Sequence, residues 1–309
     1  MSKKEDIIKK QHYVPRFYLK KFCERNKTIN VFDKEQLKIF STNINNIACE
    51  NYFYDCDFNI DNPLKRQEAE HLISSIESEI AIVYHSVLNK LDNYQSNKDF
   101  EDLTCITNKE KEYLALFFIL QLNRTKKQRI AYANIFKSMV EKVAELLFQK
   151  KIPIQVYNDK FTMLQIQRLF KNIEFYIEYL MNQQWIFERN ISNRPFYTSD
   201  NPAVLDNTFC IKDGRGKGLL SPRITLHLPL SPKYTLTIVE QSLLKNMTDL
   251  TDKICNVNEE NVLFNNDIQL LKSLSQVYAP SKTYIQGDEA YYKENKLSCL
   301  KNTLPNVLK

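Results

Sequence analysis

The densest concentration of chemical groups in this chain is His12-Tyr13-Val14-Pro15-Arg16-Phe17-Tyr18-Leu19. It joins an imidazole that titrates near neutrality, a guanidinium that stays charged and three aromatic rings. Pro15 cannot continue a helix through its own nitrogen and biases Val14 toward an extended conformation. His12 and Tyr13 are therefore expected on an extended segment, with a helix starting near Arg16. A sharp bend of this kind sets one imidazole in a cleft, where it can act as a general base or join carboxylates around a metal.

The carboxylates nearest in character are Glu70 and Glu77. From Gln67 to Asn93, apolar residues recur at helical spacing (Leu72, Ile73, Ile76, Ile80, Val83, Val87, Leu88, Leu91), which predicts an amphipathic helix. At about 100° per residue, two positions seven apart differ by only about 20° around the axis. Glu70 and Glu77 thus lie in line at the edge of the apolar stripe, with Tyr84 and Leu88. Carboxylates at a half-buried boundary lose hydration and need a cation, a metal or donors to meet them.

Arg124 is a natural partner. Thr107-Asn108-Lys109-Glu110 has the form of a capping box. The helix that follows, through Tyr113 to Leu122, is apolar on nearly every face and should run through the core. Gln121, Asn123 and Arg124 near its end must then be paired, and Arg124 can reach Glu70 or Glu77 with a bidentate fork.

The elements that position these groups read as follows. Thr28–Phe32 is a strand and Asn51–Asp55 a second, aromatic extended piece. A third helix spans Thr162 to Met181. Trp185–Glu188 and Pro195–Thr198 suggest a hairpin. Ser199-Asp200-Asn201-Pro202 is a turn whose Asp and Asn can bond their own backbone. Three of the four glycines fall in Asp213–Gly218, a hairpin tip without the strand–loop–helix context of a phosphate loop. Ile224–Leu228 and Tyr234–Val239 alternate as strands, and Asn258–Val277 reads as a last helix. Helices followed by strands argue for an α+β fold, mainly helical, with a small antiparallel sheet in the C-terminal half. The chain reads as a single domain over 1–309, with a candidate subdomain junction near 182–185 that would separate a helical part from a sheet-plus-helix part.

The net charge of +6 permits a nucleic-acid partner without requiring one. Two basic stretches stand out. Residues 1–27 hold nine Lys or Arg against three acidic residues. From Arg124 to Lys151 there are eight against two, which predicts that the helix there leaves the core with a basic face. Arg16, Lys20, Lys21, Lys126, Lys127 and Arg129 are the candidate phosphate contacts; the plainer reading of both stretches is a solvated surface. The seven cysteines are scattered, with no CxxC pair, and read as reduced thiols. No apolar run is long enough for a membrane span, so the expectation is a soluble, cytoplasmic protein without a membrane partner. Oligomeric state is not legible.

Gln11–Leu19, Gln121-Leu122-Asn123-Arg124-Thr125, Tyr197-Thr198-Ser199-Asp200-Asn201-Pro202 and Pro229-Leu230-Ser231-Pro232 occur in that order. In this the chain resembles the bacterial "domain of unknown function 4238" family over roughly residues 11 to 280. The resemblance implies a shared fold, and a meeting in space of His12, Glu70, Glu77, Gln121, Arg124, Asp200 and Asn201. It carries no assigned activity. Ala69 stands where a larger apolar residue is expected, which touches the fine packing.

Three readings of this polar cluster follow. The first is a nucleic-acid-directed hydrolase, a nuclease serving as a toxin or phage-defence effector. There Glu70, Glu77 and Asp200 would hold Mg²⁺ or Mn²⁺ to activate water, Arg124 would stabilise phosphate charge, and Gln121 or Asn201 would orient water or substrate. A metal-free version uses His12 as the base. The second is a non-catalytic module for a nucleic acid, a nucleotide or a protein, with the aromatics at 13–18 and 52–54 stacking on bases. In the third, the cluster is structural: a buried imidazole, a buried bridge and a capped turn. His71 and His85 are expected to be exposed, and His227 to face away from the core.

Overall fold

The computed structural model describes residues 7–55, 67–94, 100–102, 105–151, 153, 155, 161–207, 218–241, 252–287 and 289–290. The cysteines at 56, 210 and 299, most of the glycine-rich tip and the first residues of the basic arm lie outside them.

The helical layer follows the apolar pattern. α2 (Glu68–Asn93) buries Ile73, Ile80, Tyr84, Val87, Leu88 and Leu91. α3 (Asn108–Arg124) starts at the capping box, where the Thr107 side chain accepts from Glu110 N–H and the Glu110 carboxylate accepts from Thr107 N–H. Its Leu114, Phe117, Phe118, Ile119 and Leu120 are all buried, each worth about 2 kcal/mol of transfer free energy. α3 packs against α2 on one side and against α5 (Thr162–Phe170) and α6 (Ile173–Met181) on the other. The single helix expected over 162–181 is therefore two. The break falls at Asn172, whose φ of 59° is left-handed and outside what an α-helix tolerates.

The strands form a six-stranded sheet in the order β5-β11-β6-β10-β9-β8 and a four-stranded sheet in the order β3-β2-β12-β7. The first comprises β5 (Phe100–Asp102), β6 (Gln184–Asn190), β8 (Val204–Asp206), β9 (Thr225–Ser231), β10 (Tyr234–Val239) and β11 (Lys253–Val257). The second comprises β2 (Thr28–Asp33), β3 (Lys38–Asn43), β7 (Thr198–Ser199) and β12 (Gln276–Ala279). The only parallel neighbours among them are β11 and β6.

The α+β class holds, but the sheet is not confined to the C-terminal half. β2 pairs antiparallel with β12, with Val277 opposite Phe32, and β5 pairs with β11. Both sheets thus take strands from either side of the junction considered at 182–185. The expected hairpin around Asn190–Asn193 is absent: β6 pairs with β10 and β11, and β7 joins the other sheet. The last helix, α7 (Glu259–Lys272), ends before Val277, whose segment is drawn into β12 as a central strand. Among the described residues no helix is long and apolar enough to cross a membrane.

The aromatic opening of the chain joins the layers. α1 (Arg16–Leu19) inserts Phe17 and Tyr18 against Phe117, with ring centroids 5.6 Å apart in both cases. The Tyr18 hydroxyl donates to the Pro229 carbonyl at 2.7 Å and lies 2.6 Å from Thr198 Oγ1. Tyr84 Oη donates to the Leu230 carbonyl. Tyr13, Tyr18, Phe53 and Tyr54 are buried, so these rings cannot stack on nucleic-acid bases.

Asp200 anchors β12. Its carboxylate accepts from the N–H groups of Leu274 (2.7 Å), Ser275 (2.8 Å) and Gln276 (2.9 Å). Asp200→Ala leaves these donors unpaired in a site only 2 % exposed, and is expected to destabilise the protein by at least about 3 kcal/mol. Urea unfolding measures it; a loss below about 1 kcal/mol would mean that water replaces the carboxylate.

Candidate functional site

The bend at Val14-Pro15 forms as its residues dictate. β1 (Lys10–His12) pairs antiparallel with β4 (Cys49–Asn51), with His12 opposite Cys49. Pro15 is extended and α1 starts at Arg16. This places Lys10, His12, Arg16 and Phe17 along one wall of a cleft, joined by Asn45 from the short 3₁₀ turn Ile44–Asn46. α2 supplies the other wall through Glu70, Ser74, Glu77, Ser78 and Ala81. Those positions recur at helical spacing on one face, and the small side chains at 74, 78 and 81 leave an opening of about 590 Å³.

Burial sets the protonation of the two titrating groups. Desolvation lowers the His12 imidazole to about 4, aided by the positive charges of Arg16, Arg124 and Lys10 and opposed by the Ile44 carbonyl. His12 is thus neutral at pH 7, with Nε2 3.3 Å from that carbonyl. Desolvation raises the Glu70 carboxyl to about 7; Arg124 and Arg16 pull it down, while Glu77 and Asp55 push it up. Glu70 therefore exchanges a proton at neutral pH, the property expected of a catalytic acid or base.

Arg124 lies behind the cleft and is 1 % exposed. Its Nη2 makes an ion pair with Glu77 Oε1 at 2.5 Å and donates to the His12 carbonyl at 2.6 Å. Its Nε donates to Tyr54 Oη at 3.1 Å. One guanidinium thus ties α3 to α2 and to β1, and fixes how far His12 stands from the carboxylates. Its Nη1 is buried without a partner among the described residues. Gln121, one turn earlier on α3, is fully buried, with both amide atoms unpaired among the described residues.

Of the residues singled out in the sequence, His12, Glu70 and Glu77 line the cleft, with Arg124 behind them. Asp200 and Asn201 do not join them. Asp200 is committed to β12. Asn201 accepts from Thr125 Oγ1 at 2.9 Å and donates to the Lys272 carbonyl at 3.1 Å, pinning the residue after Arg124 to the end of α7. Glu70, Glu77 and Asp200 therefore do not form a shared metal site, and among the described residues no group of three or more His, Cys, Asp or Glu side chains could hold a metal ion.

The candidate phosphate contacts also divide. Arg16 and Lys20 are exposed and Lys21 is half-buried. Lys126 pairs with Glu50 at 2.6 Å. Lys127 donates to the Lys272 carbonyl, and burial pushes it down to about 8. Arg129 is 6 % exposed and lies 3.6 Å over the Phe53 ring, donating to the Gln165 side chain and the Phe53 carbonyl. Lys127 and Arg129 are thus structural cations and not a phosphate-facing surface. The helix they begin, α4 (Lys126–Phe148), does leave the core, and beside the exposed Lys137 and Lys142 it also exposes Ile135, Met139, Val143 and Leu146.

Lys10, Asn45, Ser74 and Ser78 belong to the cleft and were not singled out. The two serines carried a signal, since they continue the Glu70–Glu77 line at helical spacing. His227 is a correction: it is 6 % exposed, beneath Phe264 of α7, and burial lowers it to about 4. Its Nδ1 lies 3.3 Å from Thr237 Oγ1, which donates to the half-buried Glu188 at 2.6 Å. His71 and His85 are half-buried, not exposed, and His85 packs edge-on to Phe17. Cys23, Cys49, Cys105 and Cys255 are free thiols.

Two outcomes follow from this electrostatics. A carboxyl raised from 4.5 to about 7 contributes stability that is complete below about pH 4.5 and lost as pH rises through about 7. Glu70→Gln keeps the neutral form, so thermal melts should show it gaining on wild type between pH 5 and pH 8, by about 2 kcal/mol at the upper end. Arg124→Met is expected to cost about 3 kcal/mol, with part recovered in the double variant with Glu77→Gln; urea titration of the four proteins measures the coupling.

No curated protein and no solved structure matches the chain. The family described as "Protein of unknown function (DUF4238)" matches residues 10–283, nearly the whole chain, including the Pro15 bend, both cleft carboxylates and the Asp200 turn. The chain belongs to that family.

Proposed function

We propose that the protein is a nucleic-acid-directed hydrolase that cleaves phosphodiesters in the cleft between α2 and the β1–α1 bend. The observation that carries this reading is Glu70, held at about 7 in a cleft that also presents His12, Lys10 and Arg16. Glu70 accepts the proton of an attacking water. Water adds to phosphorus, the ester P–O bond breaks, and the leaving oxygen takes a proton from solvent. Lys10 and Arg16 stabilise the charge on the phosphate, and neutral His12 orients the water. Glu77 and Arg124 hold the walls apart and do not touch substrate. A toxin or phage-defence effector in the cytoplasm is the setting this activity fits.

The contacts of Arg124 favour a second reading, in which the cluster is structural and the cleft only binds. The two readings separate in one assay. Wild type, His12→Ala and Glu70→Gln are incubated with single- and double-stranded DNA and RNA, in EDTA and in Mg²⁺ or Mn²⁺, with folding verified by thermal melts. Cleavage by wild type in EDTA, rising with pH up to about 7 and reduced at least about 100-fold in folded Glu70→Gln, is expected. Cleavage only with a divalent ion assigns Glu70 and Glu77 to a metal instead. No cleavage of any substrate, with His12→Ala strongly destabilised, overturns the hydrolase.

A further inference from the structure

A second cavity, of about 730 Å³, lies on the far side of α3, where Asn123 lines it and the next residue, Arg124, turns to the cleft. Its walls come from the first turns of α4, the elbow between α5 and α6, and Leu205 of β8. The size falls within the range of small-molecule sites. Among the described residues none that lines it is acidic. Two cations, Arg168 and Lys171, stand at the elbow, exposed and without an ion-pair partner among the described residues. They meet two phenol rings, Tyr132 and Tyr176, and the amides of Asn123 and Gln128. Tyr132 donates to Asn123 Oδ1 at 3.0 Å, so one phenol is held in place. Burial raises this phenol, and its hydrogen bond with Gln128 and the charge of Arg168 oppose the rise.

We propose that this cavity binds a nucleoside phosphate. Cations that have no ion-pair partner and no carboxylate beside them among the described residues select an anion, and Arg can grip a phosphate bidentately. Aromatic faces take a base by stacking. The Asn123 amide is already bonded to the Ile119 carbonyl and to Tyr132, so its spare donor and acceptor sites and the Gln128 amide are what a base edge would meet. A bare inorganic anion would leave the rings and amides without a role, and an apolar ligand would leave the cations without one. The site is separate from the cleft and does not depend on the cleft being catalytic.

Isothermal titration calorimetry of the full chain with AMP, GMP, CMP and UMP tests this, with inorganic phosphate and the parent nucleosides as controls. At least one nucleotide is expected to bind at least about tenfold more tightly than either phosphate or its nucleoside. Arg168→Gln/Lys171→Gln, both on the surface, should weaken it at least about tenfold without shifting the melting temperature, and His12→Ala should leave it unchanged. Tyr176→Leu should weaken the nucleotide but not phosphate. The proposal fails if no nucleotide binds at millimolar concentration, if phosphate binds equally well, or if the double variant binds like wild type.

Discussion

A guanidinium sealed 1 % exposed at the end of α3 sets the geometry of everything around it. Removing Arg124 from water is costly, and only well-placed acceptors offset the cost. Glu77 of α2, the main-chain carbonyl of His12 and the Tyr54 hydroxyl supply them. Each comes from a different part of the chain. Once these contacts form, α2, α3 and the β1 strand have one mutual arrangement, and the cleft between β1–α1 and α2 has one width.

The same residue explains why two carboxylates in line on one helix behave differently. Glu77 spends its charge on Arg124. Glu70, two turns earlier, is left in a half-buried wall with weaker compensation, and desolvation lifts it to about 7. His12 is driven the other way, to about 4, by burial and surrounding positive charge. Burial pushes each toward its neutral form, so the two do not make a fixed ion pair across the cleft.

Behind the site, the polar residues that look catalytic in sequence build the scaffold. Asp200 ends in three backbone N–H groups at the start of β12. Asn201 links Thr125, adjacent to Arg124, to the last turn of α7. Lys34 and Lys127 donate to the carbonyls at that same helix end, where cations complement the helix dipole. The Thr-Ser-Asp-Asn-Pro stretch thus braces the helix that carries Arg124 without entering the cleft.

Local rules made much of this legible. The Pro15 bend, the capping box at Thr107 and the amphipathic stripe of α2 follow from short-range sterics and periodicity and are present, as are the strands β9 and β10, although these are buried on both faces instead of alternating. Pairing of Arg124 with one of the two glutamates was foreseeable, since a buried cation must have a partner. What only tertiary structure decided is which strands meet and which polar groups are spent. Val277 continues a helical pattern and becomes a central strand because Phe32, far away in sequence, offers an edge. Arg129 reads as a surface cation and lies over Phe53. His227 looks outward by alternation and is covered by α7. In each case a contact distant in the chain overrides the local preference, because burial against a partner outweighs the few tenths of a kcal/mol that propensity contributes per residue.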